Sequence, residues 1–340
     1  MANGATVARN DTVDIARGIG IILVVYAHTI RGLDARGLLN DEIYRIQDAA
    51  IYSFHMPLFF FLSGLFVQGG MTRSTRSFVK GRFQSIIYPY LLWSIVQTLV
   101  ARFAAPGSPS DVGFEALARI AWDPLGHFWF LYVLLFCHVL LFLFWRWKWL
   151  VIALAVAGLF KPALPLPPIF SLGLYNFTFV AAGWLVAQGI VPVRQWQRRI
   201  TAYFSTPLIG AMLAVIFLLI FTLDYRAGDG WLRPFLYWLL AFTGIAMTMA
   251  LCATLNGRAS MIALVGQCSM AVYILHIMIV GAFRAVEIRL GLTDPAFMLL
   301  TLTLVGTVLP ILFNAMTSAT GTSAWFGLPS ISRFARRTTR

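Results

Sequence analysis

The chain of 340 residues carries 26 Lys and Arg against 13 Asp and Glu, a formal net charge of +13, and is 59% hydrophobic, 15% aromatic and only 11% charged. Apolar content so far above the roughly 45–50% of soluble domains excludes a water-soluble globular protein and marks a polytopic membrane protein. The basic excess is not a nucleic-acid footprint, because the cations alternate from side to side of the apolar runs; its default partners are the anionic headgroups of membrane lipids.

The N-terminal stretch carries Asp11 and Asp14 beside Arg9, and no small-residue cleavage site follows the first apolar run. It therefore lacks the form of a cleaved signal peptide, and Met1 is expected to stay with the chain. Apolar spans then fall at about 13–31, 49–68, 85–104, 127–145, 149–164, 169–189, 204–223, 234–255, 262–283 and 296–317. Each approaches the ~20 residues that cross ~30 Å of hydrocarbon. The expected fold is all-α, about ten transmembrane helices in one domain over 1–340, with short cytoplasmic tails at about 1–12 and 319–340. The fifth span is the weakest, since KPALPLPP truncates it and proline removes a backbone donor; without it every later segment would flip.

Charge supports the ten-span count. With a cytoplasmic N-terminus, the inner segments hold about 15 Lys and Arg, opposed only by Asp11 and Asp14. They include Arg9, the group Arg73, Arg76, Lys80 and Arg82, the run Arg194, Arg198 and Arg199, and the tail from Arg333 onward. The outer segments are close to neutral, which puts both termini inside. Cys137, Cys252 and Cys268 lie in three separate spans and form neither a disulfide framework nor a CxxC pair.

Ionisable side chains inside apolar spans are costly and are functional candidates by default. The first span reads RGIGIILVVYAH from Arg17 to His28. Eleven residues at ~100° each return to the same face, and the rise separates the two residues by roughly 16 Å along the helix. Asp14 lies on nearly the same stripe. Two readings fit the pair: a snorkelling arginine with a helix-bridging histidine, or two ends of one functional passage.

In the second span, DAAIYSFHMPLFFFLSGLF, His55 falls at the same outer depth as His28, so the two can meet. Pro57 interrupts the helix there, and Asp48, seven residues before His55, returns to its face, either to orient an imidazole or to stand as a solvated loop acid. Ser63 and Gly64 do not make a GxSxG elbow; small residues here let helices approach closely. His127 opens the fourth span, His276 lies in the outer half of the ninth, and His138, nearer the middle of the fourth, reads as a hydrogen-bonded core residue. Without HxxxH or HExxH spacing and with few carboxylates nearby, no metal is expected.

A cation at the inner face, an imidazole roughly 16 Å deeper and further inner arginines suit a cytosolic molecule with phosphates at one end and a reactive group on a thin arm. Coenzyme A thioesters have that shape. Arg17, with Arg73, Arg76, Lys80 or Arg82, would hold the phosphates through bidentate hydrogen bonds. His28 would take the proton of an acceptor hydroxyl as it attacks the thioester, with His55 or Asp48 orienting the base or the acceptor. Trp129, with Tyr132 and Tyr52, offers ring faces to a sugar, although a lipid-facing aromatic belt uses the same residues.

Asp14 with Arg17-x10-His28, SFHMPLFFFLSG at 53–64, the basic stretch ending in Arg82 before YPYLLW, HFWFL at 127–131 and SMAVYILH at 269–276 extend over most of the chain. Together they resemble the acyltransferase-3 family of integral membrane acyltransferases, in the branch called fucose 4-O-acetylase-like or nodulation-factor acetyltransferase-like. The resemblance implies a ten-helix domain in a membrane, here the bacterial cytoplasmic (inner) membrane. It implies transfer of an acyl group, usually acetyl, from acetyl-CoA or another acyl-CoA to a hydroxyl of a sugar, glycan or lipid-linked acceptor. It makes His28 the essential catalytic residue and Arg17 a donor-binding one; Asp14 and His55 are grouped with His28, and Asp48, His127, Trp129, Tyr273 and His276 with the acceptor. A transporter or glycan flippase remains the main alternative, since deep ionisable residues and broken helices also mark carriers, and a non-catalytic scaffold is a third.

Overall fold

The computed structural model describes residues 11–71, 74–104, 114–160, 168–227 and 232–331. The elements in chain order are α1 (Thr12–Asp34), α2 (Asp41–Tyr52), α3 (His55–Phe66), the single turn α4 (Gln68–Met71), α5 (Thr75–Arg82), a π-helical turn at Phe83–Ile87, α6 (Tyr88–Ala104), α7 (Glu115–Arg119) and α8 (Trp129–Phe144). They continue with α9 (Lys148–Leu159), α10 (Pro168–Ala187), α11 (Val193–Thr201), α12 (Thr206–Ala227), α13 (Arg233–Thr254), α14 (Ser260–Gln267), α15 (Ser269–Arg289) and α16 (Pro295–Thr320). The protein is an all-α, polytopic membrane protein: among the described residues nine helical stretches are long and apolar enough to cross a membrane.

The expected fifth span, 149–164, departs from this pattern. Its helix α9 has 12 residues, about 18 Å of rise, which falls short of ~30 Å of hydrocarbon. Residues 161–164 lie outside the described residues. α9 packs antiparallel on α10: Thr178 Oγ1 donates to the Ala155 carbonyl at 2.8 Å, while Gly158 faces Leu174. The short helix thus finds its partner in the segment that follows.

The second span is two helices. A continuous helix would place Pro57 four residues after Ser53, where its ring clashes with that carbonyl and its missing N–H leaves it unpaired. The chain breaks at Ser53–Phe54 instead, and Pro57 falls in the first turn of α3, where no N–H is needed. The ninth span is also divided. α14 ends at Cys268 and α15 begins at once, so the long crossing helix runs 269–289 rather than 262–283. α14 and α15 lie in tandem along α1: Gly266 meets the Asp14 carbonyl and Gly18 the Ile262 carbonyl, while further along His276 meets His28.

α1 is the hub of the bundle, packed against α2, α3, α13, α14, α15 and α16, with Ile15, Ala16, Val25 and Leu33 fully buried. Two glycine contacts set how close its neighbourhood packs. A Cβ on Gly266 would stand 1.8 Å from the Asp14 carbonyl oxygen, and one on Gly64 of α3 would stand 2.1 Å from the Val180 oxygen of α10. Only a residue without Cβ permits such backbone approach, the role expected for the small residues of the second span. α16 is bounded by local signals, with Asp294 accepting from the Phe297 N–H at 2.7 Å, proline at N1 and Gly321 at φ 75° past the end. By contrast α12 exposes most of its apolar side chains, including Val215, Leu218 and Leu219, to the surroundings.

Candidate active site

Arg17, Ile21, Val24 and His28 follow a 4-3-4 spacing and so form one stripe of α1. A cavity of about 90 Å³ lies against the middle of that stripe, lined by Ile21 and Val24, by Met56 and Phe59 of α3, by Phe130 of α8, and by Ser269, Met270 and Tyr273 of α15. Its walls are almost wholly apolar. Along α1 the cavity therefore stands level with the residues between Arg17 and His28, although neither of those two side chains lines it.

At one end of the stripe the Arg17 guanidinium stands 5.1 Å over the Phe66 ring and 3.9 Å from Asp14 Oδ1, with its side chain one-third exposed. Asp14 Oδ2 accepts from Gln267 Nε2 at 3.1 Å. Asp14 is thus a partner of Arg17 and of the α14 end, fourteen residues and roughly 21 Å of rise away from His28.

At the other end three imidazoles meet. The His28 ring centroid lies 5.1 Å from that of His276 and 6.2 Å from that of His127, and the last two are 5.4 Å apart. His276 Nδ1 contacts the carbonyls of Val272 and Tyr273 at 2.9 and 2.8 Å. Carbonyls only accept, so Nδ1 carries the proton and Nε2 of the neutral ring is an acceptor. That Nε2, like His127 Nε2, is buried without a hydrogen-bond partner. Tyr273 fixes the cluster by donating its hydroxyl to the His127 carbonyl at 2.5 Å. Trp129 packs on Phe60 and Phe130.

His55 is not among the rings that contact His28. Its Nδ1 donates to the Ile51 carbonyl at 2.7 Å, its ring packs edge-on against Tyr52, and it is almost fully buried. Asp48 does not turn to His55 either: both its oxygens accept from Arg31, at 2.7 and 3.0 Å, in a bidentate fork. Arg31, one turn beyond His28 on α1, also stacks 3.6 Å over the Tyr52 ring. A guanidinium offers two parallel donors to a carboxylate and an imidazole only one, which favours the pairing that formed.

The basic group divides. Arg76 and Lys80 are exposed on α5, and Arg73 lies outside the described residues. Arg82 turns inward and donates from Nη1 to His138 Nδ1 at 2.9 Å. His138, read from sequence as a core residue, is indeed buried and bonded, but its partner is a cation rather than a neighbouring backbone. A histidine near mid-span facing an arginine at a helix end is the kind of pairing that sequence spacing across fifty-odd residues cannot signal. Among the described residues no group of three or more His, Cys, Asp and Glu side chains is arranged to hold a metal ion.

The family model described as an acyltransferase domain matches residues 10–315. The nodulation protein NolL of Mesorhizobium japonicum is 29% identical over 199 residues, 54% of this chain and 49% of that protein. The nodulation protein NolL of Sinorhizobium fredii is 32% identical over 194 residues, 54% of this chain and 50% of that protein. The match with each thus spans about half the length of the curated relative. No solved structure matches the chain.

Proposed function

The chain belongs to this acyltransferase family, and from that premise we propose that it moves an acetyl or short acyl group from acyl-CoA to a hydroxyl of a sugar, glycan or lipid-linked acceptor, in the bacterial cytoplasmic membrane. The observation that supports this reading is the apolar cavity beside Ile21 and Val24, the residues of α1 that lie between Arg17 and His28 along the helix. In this reading a thin donor arm runs through that apolar space, with the cation one turn before it on α1 and the base one turn after it. A carrier for a polar solute would need a more polar route.

In this reading Arg17 holds phosphate oxygens of the donor, and the arm passes Ile21 and Val24 so that the thioester carbonyl stands at His28. His28 takes the proton of the acceptor hydroxyl, the hydroxyl oxygen attacks the carbonyl, and the carbon–sulfur bond breaks. The proton then passes from His28 to the departing thiolate, giving the ester and free thiol. His276 orients the base. Its Nε2 accepts, so a small ring rotation lets it receive the N–H of His28 and leaves the other His28 nitrogen as the lone pair facing the acceptor. Arg31, held by Asp48 and Tyr52, closes the acceptor side of the site.

The test is to incubate membrane vesicles containing the protein with acetyl-labelled CoA and follow label into the glycan and lipid fractions. Label is expected to appear there with the wild type and not with His28→Ala. Solute movement in the absence of donor, with no label transferred, would overturn the reading in favour of a carrier. Comparing a deletion strain with its parent by mass spectrometry identifies the acceptor as the species that loses an acetyl increment.

A further inference from the structure

Arg82 ends α5 and is followed at once by the π-helical turn at Phe83–Ile87; such turns concentrate at functional sites. Its Nη1 donates to His138 Nδ1 at 2.9 Å. A guanidinium has no lone pair to offer, so Nδ1 must be the accepting nitrogen, and the neutral ring carries its proton on Nε2. His138 is only 3% exposed, and that Nε2–H finds no acceptor. The Nε–H of Arg82 is buried and unpartnered as well. Two donors on one bonded cationic pair thus lie without a protein acceptor, an arrangement that native proteins complete with a ligand, an ion or an ordered water.

The surroundings fit an anion. Among the described residues no carboxylate pairs with Arg82. The stacked rings of Phe78 and Phe142, 4.2 Å apart, wall the pair, and Arg82 stands 5.6 Å over Phe78. Arg82 Nη2 lies 3.7 Å from where a Gly70 Cβ would be, so this guanidinium borders α4, while Arg17 stands over Phe66 at the end of α3. The two cations flank the same short stretch of chain.

We propose that Arg82 and His138 form a phosphate site, with His138 a binding residue whose Nε2–H donates to a phosphate oxygen. Resting on the donor reading above, that phosphate belongs to the nucleotide end of acyl-CoA. Arg17 and the Arg82–His138 pair then hold the nucleotide from two sides of the α3–α4 junction.

Binding to the full chain in nanodiscs tests this, with CoA, pantetheine and inorganic pyrophosphate as probes. Loss of one charge-assisted hydrogen bond raises a Kd by roughly ten- to hundred-fold. His138→Leu is expected to weaken CoA by that amount and to leave pantetheine, which lacks the nucleotide, unchanged. His138→Gln, which keeps an acceptor for Arg82 and an N–H donor, is expected to restore most of the affinity. Equal CoA binding in His138→Leu and wild type would overturn the site, as would equal weakening of CoA and pantetheine. Should His138→Leu fail to fold, Arg82→Lys decides: it keeps the charge and removes Nε–H, and unchanged CoA affinity refutes the proposal. A wild type that binds pyrophosphate through His138 but not CoA would sink the acyl-CoA reading and leave the phosphate site standing.

Discussion

Replacing Val24 by phenylalanine tests the passage directly. Val24 is 4% exposed and forms the wall of the cavity next to His28. The room there is about 90 Å³, space for some three groups of roughly 30 Å³ each, the share of one water in the liquid. Phenylalanine carries four more carbons than valine, enough to fill it. A donor arm shut out of that space loses the burial of about three apolar groups at ~0.8 kcal/mol each, about 2.4 kcal/mol, or a ~60-fold fall in kcat/KM for acetyl-CoA. Overpacking costs folding stability by about 1–3 kcal/mol, so the variant is to be compared at matched folded protein. Val215→Phe on the exposed face of α12 adds the same bulk away from the cavity and serves as the control. Initial rates against acetyl-CoA concentration in nanodiscs give the number. A Val24→Phe enzyme within threefold of wild type, or an equal loss in Val215→Phe, would refute a donor path along this stripe.

Removing the base in His28→Ala should lower kcat by about 10²–10⁴ while CoA still binds, as read by calorimetry beside the rate assay; an unchanged kcat would remove His28 from the mechanism. His276→Leu should lower kcat about tenfold at unchanged donor KM, with a substantial part recovered in His276→Gln, whose side chain can again accept from His28; a shift in KM alone would mean a different role. Asp48→Asn should cost about 1 kcal/mol of stability, because its pair with Arg31 is partly exposed, and the loss should shrink in high salt during thermal unfolding in detergent. Gly266→Ala already forces a Cβ to 1.8 Å from the Asp14 carbonyl and should broaden or abolish the monodisperse peak in size-exclusion chromatography, with Gly266→Leu at least as severe.

The Arg17 to His28 stripe was legible because helical periodicity fixes which residues of one helix share a face, whatever surrounds it. What periodicity leaves open is the rotation of one helix against another. His127 and His276 reach His28 while His55 does not, although all four were placed by the same depth argument. Asp48 found Arg31 for a similar reason: the competition among donors is settled by fork geometry and distance, neither of which shows in spacing along one span. The break at Ser53–Phe54 followed from Pro57 and needed only a shift of position. The division at Cys268 has no proline to announce it, and the one nearby glycine, Gly266, is spent on close packing against α1; the ninth crossing helix accordingly begins several residues later than the apolar run. The short α9 was foreshadowed by the prolines after it, whereas its antiparallel seat on α10 depends on Gly158 and Thr178 meeting between the two helices. His138 shows the limit most plainly, since a buried imidazole bonded to a cation and one bonded to a carbonyl read alike in a string of letters.

The backbone contacts at Gly18 and Gly266 bear on how this protein could judge length. With carbonyls of α1 and α14 abutting where side chains would normally cushion them, the hub helix cannot slip along its neighbour without prising two main chains apart. Guanidinium and imidazole both ride on α1, so the helix itself sets the interval between them, and the abutting main chains hold the facing wall in register with it, which makes the interval a rigid gauge rather than an elastic sleeve. A thioester whose arm is a few bonds longer or shorter would present its carbonyl past or before the base, and discrimination among such molecules would arise from reach, with no dedicated pocket to recognise them.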